Sequence, residues 1–394
     1  MFARRTNWKL APNRLTQALQ QRRQAGAEIL DLTESNPTHC GLHYEEAQIL
    51  PALSQPESLG YEPDPRGLRS ARQAVAAYYA ERGAADNRHI DPDRIVLTTS
   101  TSEGYSFVFR LLCDPGDEVL VPCPSYPLLE MLADVQDVKL VPYLLFYDHG
   151  WHVDLHSLRS AISARTRAVI VVHPNNPTGS YMKFGEAEAL SQLCCERELA
   201  ILADEVFLDY AHGGPPRPSF AGNEKALTFT LSGLSKISAL PQMKVAWIVT
   251  SGPPELATAA LERLEVIADT YLSLGTPLQL ATPRLLGQRQ AIRSQLLGRI
   301  AGNLSELDAQ LTGQKACQRL EIEGGWYAIL RVPATCSDEE LAVELLKRHS
   351  ILVHPGHFYD FPSDGYLVLS LITPAETFHE GLQRLLQHVS GEPS

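Results

Sequence analysis

From about residue 93 to residue 250 the chain alternates short apolar, β-branched runs with amphipathic helical segments, which is the strongest constraint on its fold. The runs lie at 94–98, 118–121, 139–145, 168–173, 199–203, 227–231 and 245–250. Most are apolar throughout rather than at every second position, the pattern of strands buried on both faces. Parallel strands need long crossovers, and the helical segments supply them. The expected architecture is α/β, with a large domain whose mostly parallel seven-stranded sheet is sandwiched by helices. One such helix begins near Ser102, lines up Tyr105, Val108, Phe109 and Leu112 on one face, and stops at Asp114-Pro115-Gly116-Asp117.

Beyond about residue 255 the texture changes. Long helical segments run to about Thr312, followed by strand-like stretches at 320–322 and 326–331. Ser337-Asp338-Glu339-Glu340 then opens a helix as a capping box. A last helix carries Phe378, Leu382, Leu385, Leu386 and Val389 on one face. This α+β tail points to a smaller second domain. The expected division is 1–45 (an N-terminal arm and part of the small domain), 46–285 (the large domain) and 286–394 (the small domain).

Bulk chemistry narrows the function. A net charge of -12 disfavours nucleic acid and an anionic membrane surface as partners. No stretch has the uninterrupted apolar length of a membrane span. Met1 to Thr6 is charged without an apolar core behind it, unlike a secretory leader. The seven cysteines lack metal-ligand spacing, so no metal is expected and reduced thiols in a cytoplasmic protein are the simplest reading.

Ligands of open α/β sheets bind at the carboxyl ends of the strands, and several chemically able residues fall there. Lys236 follows the run at 227–231 and a Gly/Ser turn; most lysines are solvated, but one in such a crevice can form a Schiff base with an aldehyde. Asp204 closes the run at 199–203. It could simply cap a helix, or it could keep a pyridine nitrogen protonated by its charge. Asn176, in Asn175-Asn176-Pro177-Thr178-Gly179, is either a turn residue or an amide donor to a phenolic oxygen. Tyr126, between Pro124-Ser125 and Pro127, is an ordinary turn aromatic or a ring face for stacking. Ser100, Thr101 and Ser102 open a helix, where free N–H groups bind anions as readily as a serine caps. Ser235 and Lys244 could complete that cradle. An amine, a carboxylate, an amide, an aromatic face and an anion cradle are together the parts needed to hold and use pyridoxal 5'-phosphate.

With these motifs in order, the chain resembles the class I/II aminotransferase family of fold-type I pyridoxal-phosphate enzymes. The match runs from Tyr61 and Leu68-Arg69 through the motifs above to Gly324-Gly325-Trp326-Tyr327 and Val353-His354-Pro355-Gly356. The resemblance implies an aspartate-aminotransferase-like fold. It makes Lys236 the Schiff-base lysine and proton carrier, Asp204 the partner of the pyridinium, Asn176 that of the phenolate, and Tyr126 the stacking ring. It also implies that Tyr61 reaches the phosphate of a neighbouring subunit, hence a homodimer with shared active sites.

Five positions depart from the family pattern. Phe207 stands where a tyrosine is usual, with Tyr210 three residues on as a candidate replacement. Lys244 replaces an arginine, Ser100 a glycine and Gly233 a serine. The largest departure is in Tyr366-Leu367-Val368-Leu369-Ser370, where Val368 occupies the place of the arginine that clamps a substrate carboxylate. Either another arginine, with Arg66 a candidate, takes that task or the substrate has no carboxylate there. Asn36, in Ser35-Asn36-Pro37-Thr38, lies on a segment that often lines the substrate pocket, or is an Asx turn. The leading expectation is a transaminase acting on small amine and keto substrates. The alternatives are a lyase, such as a carbon–sulfur β-eliminating enzyme, and a ligand-sensing domain, which the acidic balance disfavours.

Overall fold

The computed structural model describes residues 1–82 and 89–391. Its large sheet runs Ile95–Thr98, Ala246–Ser251, Thr228–Gly233, Ala200–Asp204, Thr166–Val172, Glu118–Cys123, Lys139–Tyr147 and Trp151–Val153 from edge to edge. All seven expected strands are present. The eighth, Trp151–Val153, is a short antiparallel ribbon on Lys139–Tyr147. Three residues are too few to show a period, which is why the sequence reading stopped at seven. The five central strands are mutually parallel, and Ala246–Ser251 runs against both neighbours.

The inner strands bury both faces, with alternate side chains entering different cores, whereas Lys139–Tyr147 is largely exposed or half-buried. Ile170, Leu202, Phe229 and Leu231 pack with Tyr105, Val108 and Phe109 of the helix Thr101–Leu112 and with the helix Pro254–Asp269. Val169, Val171, Ile201 and Ala203 point the other way, onto Leu190 and Leu193 of the helix Phe184–Glu196. Full burial of each such aliphatic side chain contributes roughly 1.5–3 kcal/mol, so the sheet is the rigid frame of the molecule.

The sheet order reverses once. Glu118–Cys123 is followed in sequence by its neighbour on one side, Lys139–Tyr147, and the chain then returns to its other side with Thr166–Val172. That switch point opens a crevice at the carboxyl ends of the strands. Tyr126 follows the first strand of the switch and Asn176 the second. Asp204 and Lys236 belong to the next two strands along.

The C-terminal part builds its own core on a four-stranded antiparallel sheet, Gln318–Arg319, Tyr327–Arg331, Tyr366–Ser370 and His354–Pro355. The expected strand at 320–322 thus lies two residues earlier. The capping box is real: Ser337 Oγ accepts from Glu340 N, and Glu340 Oε2 accepts from Ser337 N, each at 3.3 Å. Phe378, Leu382, Leu385 and Leu386 of the helix Ala375–Ser390 are buried in this core. The N-terminal segment joins it, because Leu30–Asp31 pairs in parallel with Ile351–Leu352 and Leu32 is fully buried. No described helix is long and apolar enough to cross a membrane.

Candidate active site

A cavity of about 290 Å³ lies over the switch point. Ser100, Thr101, Ser102, Tyr126, Asn176, Asp204, Ser235, Lys236 and Lys244 all line it, joined by Ser35, Phe207 and Tyr327. Of the residues singled out from sequence, Tyr61, Asn36, Arg66 and Tyr210 lie elsewhere.

Lys236 sits in the one-turn helix Leu234–Ile237, directly after Thr228–Gly233. Gly233 is required here: a Cβ on it would stand 2.8 Å from Ala246 Cβ and 2.9 Å from the Val245 carbonyl. The Lys236 ammonium lies 4.8 Å from the Trp326 ring centre and 5.5 Å from that of Phe207. Two phenols fix the backbone beneath it, Tyr210 OH donating to the Lys236 carbonyl at 2.6 Å and Tyr44 OH to the Ala239 carbonyl at 2.8 Å. Tyr210 is fully buried and does not line the cavity, so it does not stand in for the phenol absent at Phe207. Its hydroxyl serves the lysine's main chain instead.

Asp204 ends its strand with the carboxylate held from two sides. Val206 N donates to Oδ1 at 3.2 Å and Tyr105 OH to Oδ2 at 3.1 Å. Burial dominates nonetheless and raises its pKa to about 6, against these bonds and the attraction of Lys236. Burial likewise brings Lys236 down from 10.5 to about 8, with Asp204 opposing. Each group is short of stabilisation for its charge, and a cation beside Asp204 would relieve the first. Tyr105 read from sequence as one more apolar-face residue; the signal was that a buried tyrosine hydroxyl needs a partner.

Asn176 is buried at the end of its turn, and its Oδ1 has no hydrogen-bond partner among the described residues. The oxygen and nitrogen of a carboxamide exchange by a half-turn, so this side chain can present a donor or an acceptor to the cavity. The turn is closed by Gly179, at φ +68, whose backbone presses on the Gly324 carbonyl. The adjacent Asn175 has a structural task, accepting from Thr178 Oγ1 at 2.9 Å.

At the other end the helix Thr101–Leu112 points its N-terminus into the cavity. Ser100 is its cap, with Oγ accepting from Glu103 N at 3.1 Å, and Glu103 Oε2 accepts from Thr99 N at 2.8 Å. The first-turn hydroxyls of Thr101 and Ser102 line the cavity. Lys244 enters beside them in a left-handed backbone conformation, φ +49, and forms no ion pair with any described residue. A cation and a helix N-terminus facing one space form an anion site.

Tyr61 is 73 % exposed and lines a separate cleft with Pro63, Asp64 and Gln279. Asn36 makes the Asx turn: its Oδ1 accepts from Thr38 N at 3.1 Å and Thr38 Oγ1 at 2.8 Å, while its neighbour Ser35 reaches the cavity. Arg66 is not a cavity residue either, since Nε donates to Glu265 at 2.9 Å and Nη1 to the Asp93 carbonyl at 2.8 Å.

The sequence model of the aminotransferase class I and II family matches residues 27–385. The chain belongs to the class I and II aminotransferase family. Its fold is that of the aspartate-aminotransferase-like, fold type I enzymes, and its similarity to proteins named as aminotransferases makes it a transaminase, with the lyase alternative not favoured. The glutamate–pyruvate aminotransferase AlaA of Haemophilus influenzae is 26 % identical over 375 residues, 93 % of this chain and 92 % of that protein. The alanine aminotransferase of Mycobacterium bovis is 29 % identical over 370 residues, 91 % of this chain and 85 % of that protein. Among solved structures, an aminotransferase from Escherichia coli superimposes with a TM-score of 0.87 at 25 % identity, covering 99 % of this chain and 98 % of that one.

Proposed function

We propose that the cavity holds pyridoxal 5'-phosphate and that the protein exchanges amino groups between a small amine and a small keto compound, with Lys236 as the central residue. The observation that carries this reading is one cavity combining a buried carboxylate, a low-pKa lysine, an unpartnered amide and an unpaired cation at a helix N-terminus. The three buried groups are costly alone, and one ligand satisfies them together with the exposed cation. When bound, that ligand supplies an aldehyde for capturing amines and a ring that accepts electron density from the substrate's α-carbon.

The chain's own groups then have distinct tasks. Lys236 provides the amine that anchors the aldehyde. The low pKa of its amine leaves a usable fraction neutral, so Lys236 could take a proton at one carbon of the substrate and return it at another. Asp204, held by Tyr105 and Val206, keeps the ring nitrogen protonated by its charge. The Asn176 amide donates to the ring oxygen, and Tyr126 covers one face of the ring. Thr101, Ser102, Ser235 and Lys244 hold the phosphate, with Ser100 capping the helix beneath it. Lys244 offers a point charge where an arginine would offer a fork. Phe207 and Trp326 exclude water around the lysine.

We further infer a homodimer in which Tyr61, exposed in its own cleft, completes the partner's phosphate site. A cytoplasmic location fits seven free cysteines. The division at 1–45, 46–285 and 286–394 is supported by the helices Thr276–Gly287 and Arg289–Leu311, whose buried residues enter different cores. The test is borohydride reduction of the purified protein followed by peptide mass mapping. A pyridoxyl adduct is expected on Lys236, and Lys236→Ala should lack both the adduct and amino-group exchange. An adduct on another lysine, or full activity of the alanine variant, would refute the assignment.

A further inference from the structure

Resting on that amino-group exchange, the walls of the cavity decide what else the amine can carry. Among the described residues lining it, the only cations are Lys236 and Lys244. Lys236 is needed for the chemistry. Lys244 precedes the strand whose Ala246 pairs with Thr98, and lines the cavity with Ser100, Thr101 and Ser102 at the anion end. Of this chain's own cavity groups, neither is left for a substrate carboxylate.

The nearby arginines are held elsewhere. Arg66 is paired with Glu265, and Arg299 donates to the carbonyls of Cys40, Ile372 and Thr373. Val368 is 1 % exposed, in register between Ile329 and His354.

The polar wall that remains is neutral. The hydroxyls of Tyr327, Ser35 and Tyr126 line it. Behind them Tyr359 OH meets His354 Nδ1 at 3.0 Å. The ionised groups acting on this wall from the N-terminal segment are acidic: the charge of Glu34 reaches Tyr327 and that of Asp31 reaches His354. A carboxylate lodged here would be desolvated with no counter-charge and an acid for a neighbour. A hydroxyl both donates and accepts, which suits a phenol–serine pair.

We propose that the preferred amine substrate bears a neutral hydroxymethyl-type group where an amino acid bears its carboxylate, that is, a small 2-amino alcohol. In the exchange the amino alcohol gives up its amino group and the hydrogen on the same carbon and becomes an α-hydroxy ketone. The keto acceptor takes both and yields its carbonyl oxygen in return, so no external oxidant is needed.

L-alaninol and L-alanine differ in this one group, and titrating the purified holoenzyme with each tests the idea. Cofactor absorbance gives the half-saturating concentration, and the thermal unfolding midpoint gives binding independently of turnover. L-alaninol should half-saturate at a concentration roughly tenfold lower or better, and raise the midpoint more. L-alanine saturating at an equal or lower concentration overturns the substrate class. So does silence from both amines when reduced protein carries the adduct on Lys236, although the cofactor site then stands. Absence of that adduct removes the proposed function and, with it, the substrate class.

Discussion

Replacing Lys236 with methionine should make the cofactor-free protein more stable at neutral pH while abolishing its chemistry. Burial brings the lysine from 10.5 to about 8. At about 1.4 kcal/mol per pKa unit, the folded state at pH 7 carries a penalty of about 3 kcal/mol for keeping this group charged. Methionine retains the unbranched stem without the charge. The attraction of Asp204 is already contained in that net shift. The expectation is therefore about 3 kcal/mol. The pH dependence follows from the sign of the shift. Below about pH 8 the lysine is charged both folded and unfolded, and the penalty is complete. Between about 8 and 10.5 the folded protein has released the proton and the unfolded chain has not, so the penalty shrinks; above 10.5 it is gone. The advantage of the variant over the wild type should therefore be largest near pH 7 and fade towards pH 10.5. Urea unfolding of both cofactor-free proteins at pH 7, 8.5 and 10 measures it. A variant no more stable than the wild type at pH 7, or an advantage that does not change with pH, would refute the view that Lys236 is held charged against its surroundings.

Lys244→Met should raise the dissociation constant for pyridoxal phosphate by roughly 10- to 100-fold, the size of a lost charge-assisted contact; pyridoxal lacking the phosphate should bind unchanged, and equilibrium dialysis of both ligands separates the cases. Tyr210→Phe should cost only about 1 kcal/mol in urea unfolding, because the Lys236 carbonyl still accepts from Ala239 N at 3.2 Å. Gly179→Ala combines an unfavourable left-handed backbone with overlap on the Gly324 carbonyl; a loss of about 2–4 kcal/mol is expected, seen as a lower thermal midpoint.

The sheet was legible because its strands are buried on both faces and must be apolar throughout, with turn residues marking where each ends. Asp204, Asn176, Tyr126 and Lys236 could be placed on one rim by topology alone, since parallel strands bring their carboxyl ends to one side. Other features depended on partners far away in the chain. Nothing local shows that Arg66 is taken by Glu265, nearly two hundred residues on, or that Tyr105 reaches Asp204. Ser35 and Asn36 are adjacent and equally polar, and their segment is fixed by distant contacts, with Leu32 buried in the C-terminal core and Ser370 Oγ donating to the Glu34 carbonyl at 2.6 Å.

By itself, the sequence determined the layered architecture, the order of the reactive groups and the missing arginine at Val368, because periodicity and residue type are local properties. Only the tertiary structure decided which groups are charged with difficulty, which cations remain free and where the hydroxyl of Tyr210 goes. Those outcomes depend on burial and on contacts between distant segments, and a side chain acquires both only when the chain closes around it.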